Sequence, residues 1–181
     1  MKNNASEISG YAFKADDELL IDTNIWLFIY GFSKPGDARS ATYSKALGEM
    51  LAASCRIYMD VLVLSEYINA YARFKHNLLK GAAGVDPVFK NFRKSSGFKP
   101  IAVDIASDVR QIMKHCEQIE GDFPSTNINA LITEFEAGNS DFNDQVLTNI
   151  CKRRNLKLVT HDGDFKDRGL NILTSNQNLL V

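Results

Sequence analysis

The chain is short of the residues that would place it in several large classes. It has three cysteines, Cys55, Cys116 and Cys151, an odd number with no CxxC pair. That fits thiols kept reduced in a cytosol better than a disulfide framework, and no Cys/His cluster argues for zinc. The three histidines, His76, His115 and His161, show no ligand spacing and read as ordinary surface or core residues. No apolar run reaches the length of a membrane span. The opening MKNNASEISGYAF has no apolar core of the kind a secretory leader carries, so a cytoplasmic protein with no membrane role is expected. Net charge is −1 over 181 residues, so no global basic field announces nucleic acid, although a local patch is compatible with it.

What is present is an ordinary globular composition, 45% hydrophobic and 24% charged, of a size for one domain spanning 1–181. Short apolar runs alternate with helical patterns. Residues 1–17 read as a polar lead-in, and Leu19–Asp22 as a buried strand. WLFIYGF reads as a turn entering a helix, 31–39 as loop, and 38–53 as helix. Arg56–Met59 reads as a strand, and the residues after Asp60 as a long helix. Residues 75–100, with glycines and many lysines, read as a helical, basic insertion. Pro100–Val103 is expected as a third strand that ends on Asp104 and leads into a helix reaching about 120. Helices follow at 128–137 and 142–155, then strands at 156–160 and 170–173. Short strands alternating with helices predict an α/β fold. The expectation is a three-layer α/β/α sandwich around a short-stranded, mainly parallel sheet.

In such folds ligands gather at the carboxyl ends of the strands. Asp22, Asp60, Asp104 and Asp162, with Asp164 beside it, all fall there in this reading. A helix N-cap is the plainer explanation for Asp60, Asp104 and Asp141. Asp22 resists it, because Thr23 and Asn24 offer uncharged caps. Glu66, within the apolar VLVLSEYINAY, calls for a partner, and Arg73 and Lys75 are candidates for one. Acids brought together repel by roughly 4 kcal/mol per pair at about 4 Å. Proton uptake or a divalent cation must offset that. Oxygen-only ligands suit Mg²⁺ or Mn²⁺.

Three blocks in order, LLIDTNIWL, VLSEY and DFNDQVLTNICKRRNLKLVTHDGDF, resemble the PIN-domain ribonucleases, including the VapC-type toxins of bacterial toxin–antitoxin pairs. The resemblance covers the first third and last quarter of the chain. It implies a metal-dependent endoribonuclease with Asp22, Glu66, Asp144 and Asp162 as catalytic ligands of Mg²⁺ or Mn²⁺, and Asp164 as a fifth. Thr23, Asn24, Asp141 and Thr160 would support them. It also implies an RNA substrate, and an antitoxin and a second copy as candidate partners. For RNA contact the basic stretch offers Arg73, Lys75, Lys90, Arg93 and Lys94, interleaved with Phe74, Phe89, Phe92 and Phe98. The same phenylalanines also read as core. Lys152–Arg154 sits at a helix C-terminus and reads as structural. The rival readings are a catalytically inactive or housekeeping PIN-like RNA-binding protein, a receiver-type Mg²⁺-binding domain and a haloacid-dehalogenase-like phosphatase. A receiver would need a well-placed lysine, and the phosphatase an aspartate where Asn24 stands.

Overall fold

The computed structural model describes residues 1–31, 36–121, 123–138 and 141–181. Part of the loop expected over 31–39 therefore lies outside the described residues. Six strands form one all-parallel sheet in the order β1-β6-β5-β2-β3-β4, flanked by helices. The strands are β1 (Asn4–Glu7), β2 (Glu18–Ile21), β3 (Arg56–Met59), β4 (Glu117–Gln118), β5 (Lys157–Val159) and β6 (Asn171–Thr174). The helices are α1 (Thr23–Trp26, widening into a π turn over Leu27–Gly31), α2 (Ala38–Ala52), α3 (Val61–Leu79), α4 (Phe89–Phe92), α5 (Phe98–Met113), α6 (Ile128–Glu136) and α7 (Phe142–Arg154). This is the expected α/β architecture, with a sheet that is wholly rather than mainly parallel.

The central strands are apolar on both sides because helices cover both faces. Leu19, Leu20, Ile21, Leu158, Val159, Ile172 and Leu173 are all buried. Side chains that alternate across the pleat therefore meet core in either direction, and the only polar positions left to β2 are its ends.

Three expectations are corrected. The segment 1–17 is not a lead-in: β1 pairs in register with β6, Asn4 opposite Asn171 and Glu7 opposite Thr174. Its NASE sequence is polar because it is an edge strand, and Ile8, fully buried, anchors its end. Pro100–Val103 is not a strand either. It lies in the first turns of α5, where a proline is tolerated because its missing N–H would have no helical acceptor. Ile101, Ile105 and Ile112 recur at helical spacing and bury one face. Asp104 thus sits inside a helix, neither at the sheet edge nor at a cap, and the strand beside β3 is the two-residue β4. By contrast Asp60 and Asp141 do cap, accepting from the backbone N–H of Leu62 and Asn143 at 2.8 Å each.

The residues expected as an insertion build the end of α3, then α4 and the start of α5. His76 is buried against Phe92 (centroids 4.9 Å), and Phe98 meets Phe89 and Phe92 edge-on. Phe92 is core and Phe74, Phe89 and Phe98 are half-buried. The aromatics of this stretch therefore hold it onto α3 rather than standing free.

If β1 is integral to the sheet, Ile8→Ala should cost about 2–5 kcal/mol, the range for deleting a buried aliphatic side chain. Urea unfolding reads this directly. A loss below about 0.5 kcal/mol, the level of ordinary surface substitutions, would return residues 1–8 to the status of a dispensable lead-in.

Candidate metal centre

Asp22 follows β2 at the N-cap position of α1, yet its side chain makes no capping bond. It is 5% exposed and turns to β5 instead. Thr160 Oγ1 donates to Asp22 Oδ2 at 2.7 Å, and Asn24 Nδ2 donates to the same oxygen at 2.5 Å. Asn24 also spans the gap to Thr160 (3.3 Å) and accepts from the backbone N–H of His161 at 3.2 Å. Thr160 Oγ1 accepts in turn from the N–H of Asp162 at 3.0 Å. The ends of two neighbouring strands are thereby stitched through one buried threonine hydroxyl. Thr23 Oγ1 reaches Glu66 Oε2 and the Val63 carbonyl, each at 3.3 Å, and so ties α3 to the same edge. Glu66 contacts neither Arg73 nor Lys75 in any ion pair among the described residues; its partner is Thr23.

The acids act on one another. Burial pushes the Asp22 carboxyl up to about 7, helped by the charges of Glu66 and Asp162 and opposed by the Thr160 bond. Burial likewise pushes Asp144, in the first turn of α7, to about 7, with Asp22, Asp162, Asp141 and Asp164 adding to the shift. Glu66 is raised by burial and by Asp141 and Asp162. Asp162 caps the short turn Gly163–Phe165, accepting from Asp164 N–H at 3.0 Å. Asp22, Glu66, Asp144 and Asp162 are thus gathered at one edge, with the exposed Asp141 and Asp164 at its rim.

The other end of β2 supplies the control. Asp17 is equally buried, at 3% exposure, but it bonds Lys157, the Lys14 N–H (2.9 Å) and Tyr11. Burial alone would raise its carboxyl; the Lys157 hydrogen bond and charge bring it below the usual range. Among the described residues no lysine or arginine plays that part for Asp22, Glu66 or Asp144. An all-carboxylate set with no internal cation fits a hard divalent ion. Among the described residues no group of three or more His, Cys, Asp or Glu side chains is placed so as to hold a metal ion as it stands.

Sequence reasoning passed over His161. Its ring Nδ1 lies 2.9 Å from the hydroxyl of Tyr43, which also accepts from the backbone N–H of Ser175 at 3.0 Å. Asn176 Nδ2 donates to the His161 carbonyl at 2.8 Å. With Asn24, Phe28, Asp162 and Gly163 the imidazole lines a cleft of about 250 Å³ beside the acids. Burial and the Arg39 charge hold its pKa below the usual value. No spacing rule flags a histidine whose partners lie on α2 and beyond β6.

The basic residues do not join this edge. α3 starts at the acids and runs away from them, so Arg73 lies about 10 Å along the axis beyond Glu66. Arg73 stacks over Phe89 and Lys75 over Tyr71, both at 5.1 Å; Lys90, Arg93 and Lys94 are exposed, and Arg93 lines a cavity with Ile68 and Asn69 of α3.

The PIN domain model matches residues 19–170, and the chain belongs to that family, whose members are generally nucleases. Among solved structures it resembles VapBC2 from Rickettsia felis bound to a DNA fragment from their promoter. Identity is 17% over 86% of this chain and 97% of that chain, with a TM-score of 0.53, a likeness of fold. No curated protein matches it. No described helix is long and apolar enough to cross a membrane.

The raised acids have a stability consequence. A carboxyl whose pKa rises on folding binds more protons folded than unfolded between about pH 4 and 7. Its contribution is complete below that window and is lost as pH rises through about 7. In chelator, Asp22→Asn should therefore melt progressively higher than the wild type as pH goes from about 5 to about 8. Added Mn²⁺ should narrow the gap by stabilising only the wild type. A constant difference across that range would remove the proposed charge strain.

Proposed function

We propose that this protein is a divalent-metal-dependent endoribonuclease, with Asp22, Glu66, Asp144 and Asp162 holding Mg²⁺ or Mn²⁺ and Asp164 available as a further ligand. The observation that carries this reading is the contrast along β2. One buried aspartate is neutralised by a lysine, while the other has only acids as its charged neighbours. Membership of the PIN family supports nucleic acid as substrate. When bound, the ion lowers the pKa of a water toward neutrality and stabilises the leaving oxyanion. The chain's own residues supply the geometry. Thr160 and Asn24 fix the Asp22 carboxylate through Oδ2 and leave Oδ1 for coordination. Thr23 orients Glu66. Asp141 starts α7 so that Asp144 projects one step into the helix. Arg73, Lys75, Lys90, Arg93 and Lys94 would contact phosphates of the RNA backbone along α3 and α4.

A second, narrower reading is the toxin of a toxin–antitoxin pair, acting in the cytoplasm, with an antitoxin protein and a second copy of the chain as partners. What favours it is the fold likeness to the VapBC2 complex.

Asp22→Asn and Asp144→Asn should each lower Mn²⁺-dependent cleavage of single-stranded RNA by about 100-fold or more, while circular dichroism stays that of the wild type. Full activity in a folded Asp22→Asn protein would sink the assignment. Arg93→Glu with Lys94→Glu should weaken RNA binding and flatten its dependence on salt; an unchanged slope would put the RNA on another face. For the toxin reading, induced wild type should arrest growth and Asp144→Asn should not. Harmless wild-type expression would leave a housekeeping nuclease.

A further inference from the structure

His161 stands between Thr160, which holds Asp22, and the acid Asp162, and both its backbone and its ring are fixed. Its N–H donates to Asn24 Oδ1 at 3.2 Å, and its carbonyl accepts from Asn176 Nδ2 at 2.8 Å. The ring meets Phe28 and Tyr43 edge-on, at 5.8 Å between centroids in each case. Its Nδ1 lies 2.9 Å from the Tyr43 hydroxyl and 3.4 Å from Ser175 Oγ. A half-buried side chain held in this way has little rotamer freedom left to lose on binding.

Hydrogen bonds around Tyr43 fix the tautomer. The tyrosine hydroxyl already accepts from the Ser175 N–H at 3.0 Å and from Ser175 Oγ at 3.2 Å. Its own hydrogen is left for Nδ1 at 2.9 Å or the Thr160 carbonyl at 3.4 Å, and the nearer acceptor takes it. Nδ1 therefore accepts, and Nε2 carries the ring hydrogen. A protonated ring also has a hydrogen on Nε2, so this donor does not depend on titration. Nε2 makes no bond among the described residues and is not one of their sealed polar atoms, so water reaches it. Tyr43 does not need the ring either, since Ser175 and the Thr160 carbonyl would satisfy its hydroxyl alone.

The other side chains of the cleft have no donor to spare. Asn24 commits its amide hydrogens to Asp22 and Thr160. Asp162, as a carboxylate, only accepts. Phe28 is stacked near-parallel with Tyr43, centroids 6.0 Å apart, and has the Arg39 guanidinium 4.6 Å from its ring centre. It is thus already taken as a stacking partner and offers a base little. The Nε2–H of His161 is the uncommitted side-chain donor here, and its occupant must bring an acceptor. Asp162 belongs to both cleft and acid edge, and Asn24 joins them through its bond to Asp22, so the two are continuous. A strand with one phosphate over the acids passes its neighbouring linkage across this surface. Donors that meet backbone oxygens fix the register of a nucleic acid rather than read its sequence.

We propose that His161 contacts the RNA, its Nε2–H donating to a non-bridging phosphate oxygen of the linkage next to the one cut. The contact rests on the ribonuclease reading and adds to it the group that sets the strand's register over the acids. Thr160 holds Asp22, Asp162 joins the acids, and His161 between them holds the strand. All three sit on one segment anchored to Asn24, so strand and acids are positioned together. A hydrogen bond to a charged oxygen is also roughly twice as strong as one between neutral groups.

The test uses a short single-stranded RNA that the protein cuts at one place. It is also made with a single methylphosphonate at the linkage on either side, which keeps the chain but removes one non-bridging oxygen and the charge. In Mn²⁺, one of the two modified RNAs should raise the wild-type KM by about 10-fold. His161→Asn keeps an amide near Nδ1 for Tyr43 but has no group at Nε2. It should raise KM on unmodified RNA to a similar degree, and by more than it lowers kcat. The same methylphosphonate should then add less than about 2-fold, because the interaction it removes is already gone. His161→Gln, whose longer side chain carries an amide N–H toward the place of Nε2, should recover most of the loss. Mn²⁺ affinity without RNA, measured by calorimetry, should match the wild type in both variants. Penalties that add in full in His161→Asn overturn the proposal, as does a wild type indifferent to both modified linkages. Should His161→Asn fail to fold, His161→Phe, which keeps the ring contacts, takes its place with the same outcomes. RNA left uncut by folded wild type removes the ribonuclease reading along with this proposal, a result distinct from the others.

Discussion

The structure turns on a carboxylate buried without a cation. Asp22 lies at the end of the central strand, 5% exposed, bonded through one oxygen to Thr160 and Asn24 and surrounded by further acids. A buried charge is tolerated when it is paired, hydrogen-bonded or allowed to take up a proton. Here the hydrogen bonds are made and the pairing is missing, so the proton is partly retained near neutrality. Asp17, on the same strand, shows that this chain can bury an aspartate with its lysine. Divalent binding at the acids would exchange protons for metal, which makes affinity depend on pH by the same linkage.

The scaffold is arranged to keep these acids in place. Leu19–Ile21 and Leu158–Val159 are locked between two helical layers, and Thr160, fully buried, distributes its hydroxyl among Asp22, Asn24 and the Asp162 backbone. Each bond is modest in net worth, about 1 kcal/mol. Their combined effect is geometric, because the ends of β2 and β5 cannot shift independently. Glu66 joins from α3 through Thr23, and Asp144 from α7 through the cap at Asp141. Asp22 and Glu66 are held chiefly by the uncharged side chains of Thr160, Asn24 and Thr23.

The basic stretch divides into two kinds of residue. Lys90, Arg93 and Lys94 are exposed. The aromatic residues once set among them in sequence are spent on packing α4 and α5 against α3.

That these acids share one edge was legible in the chain, because strand ends in a parallel sheet fall on one edge whatever the strand order. Leu19–Ile21 running into Asp22, LKLVT running into Asp162, and the α/β alternation determined the class of fold. The family resemblance supplied Glu66 and Asp144. What failed did so for physical reasons. β1 is an edge strand whose polar side chains face water, so no apolar run announced it. Pro100–Val103 looked like a strand since four apolar or turn-forming residues fit either period, and only the packing of Ile105 and Ile112 settles it as helix. The neighbours of His161 and the course of the basic stretch along α3 and α4 were decided by tertiary structure alone. Each depends on which surfaces meet across elements tens of residues apart, and a linear pattern records the period of an element but not the neighbour it packs against.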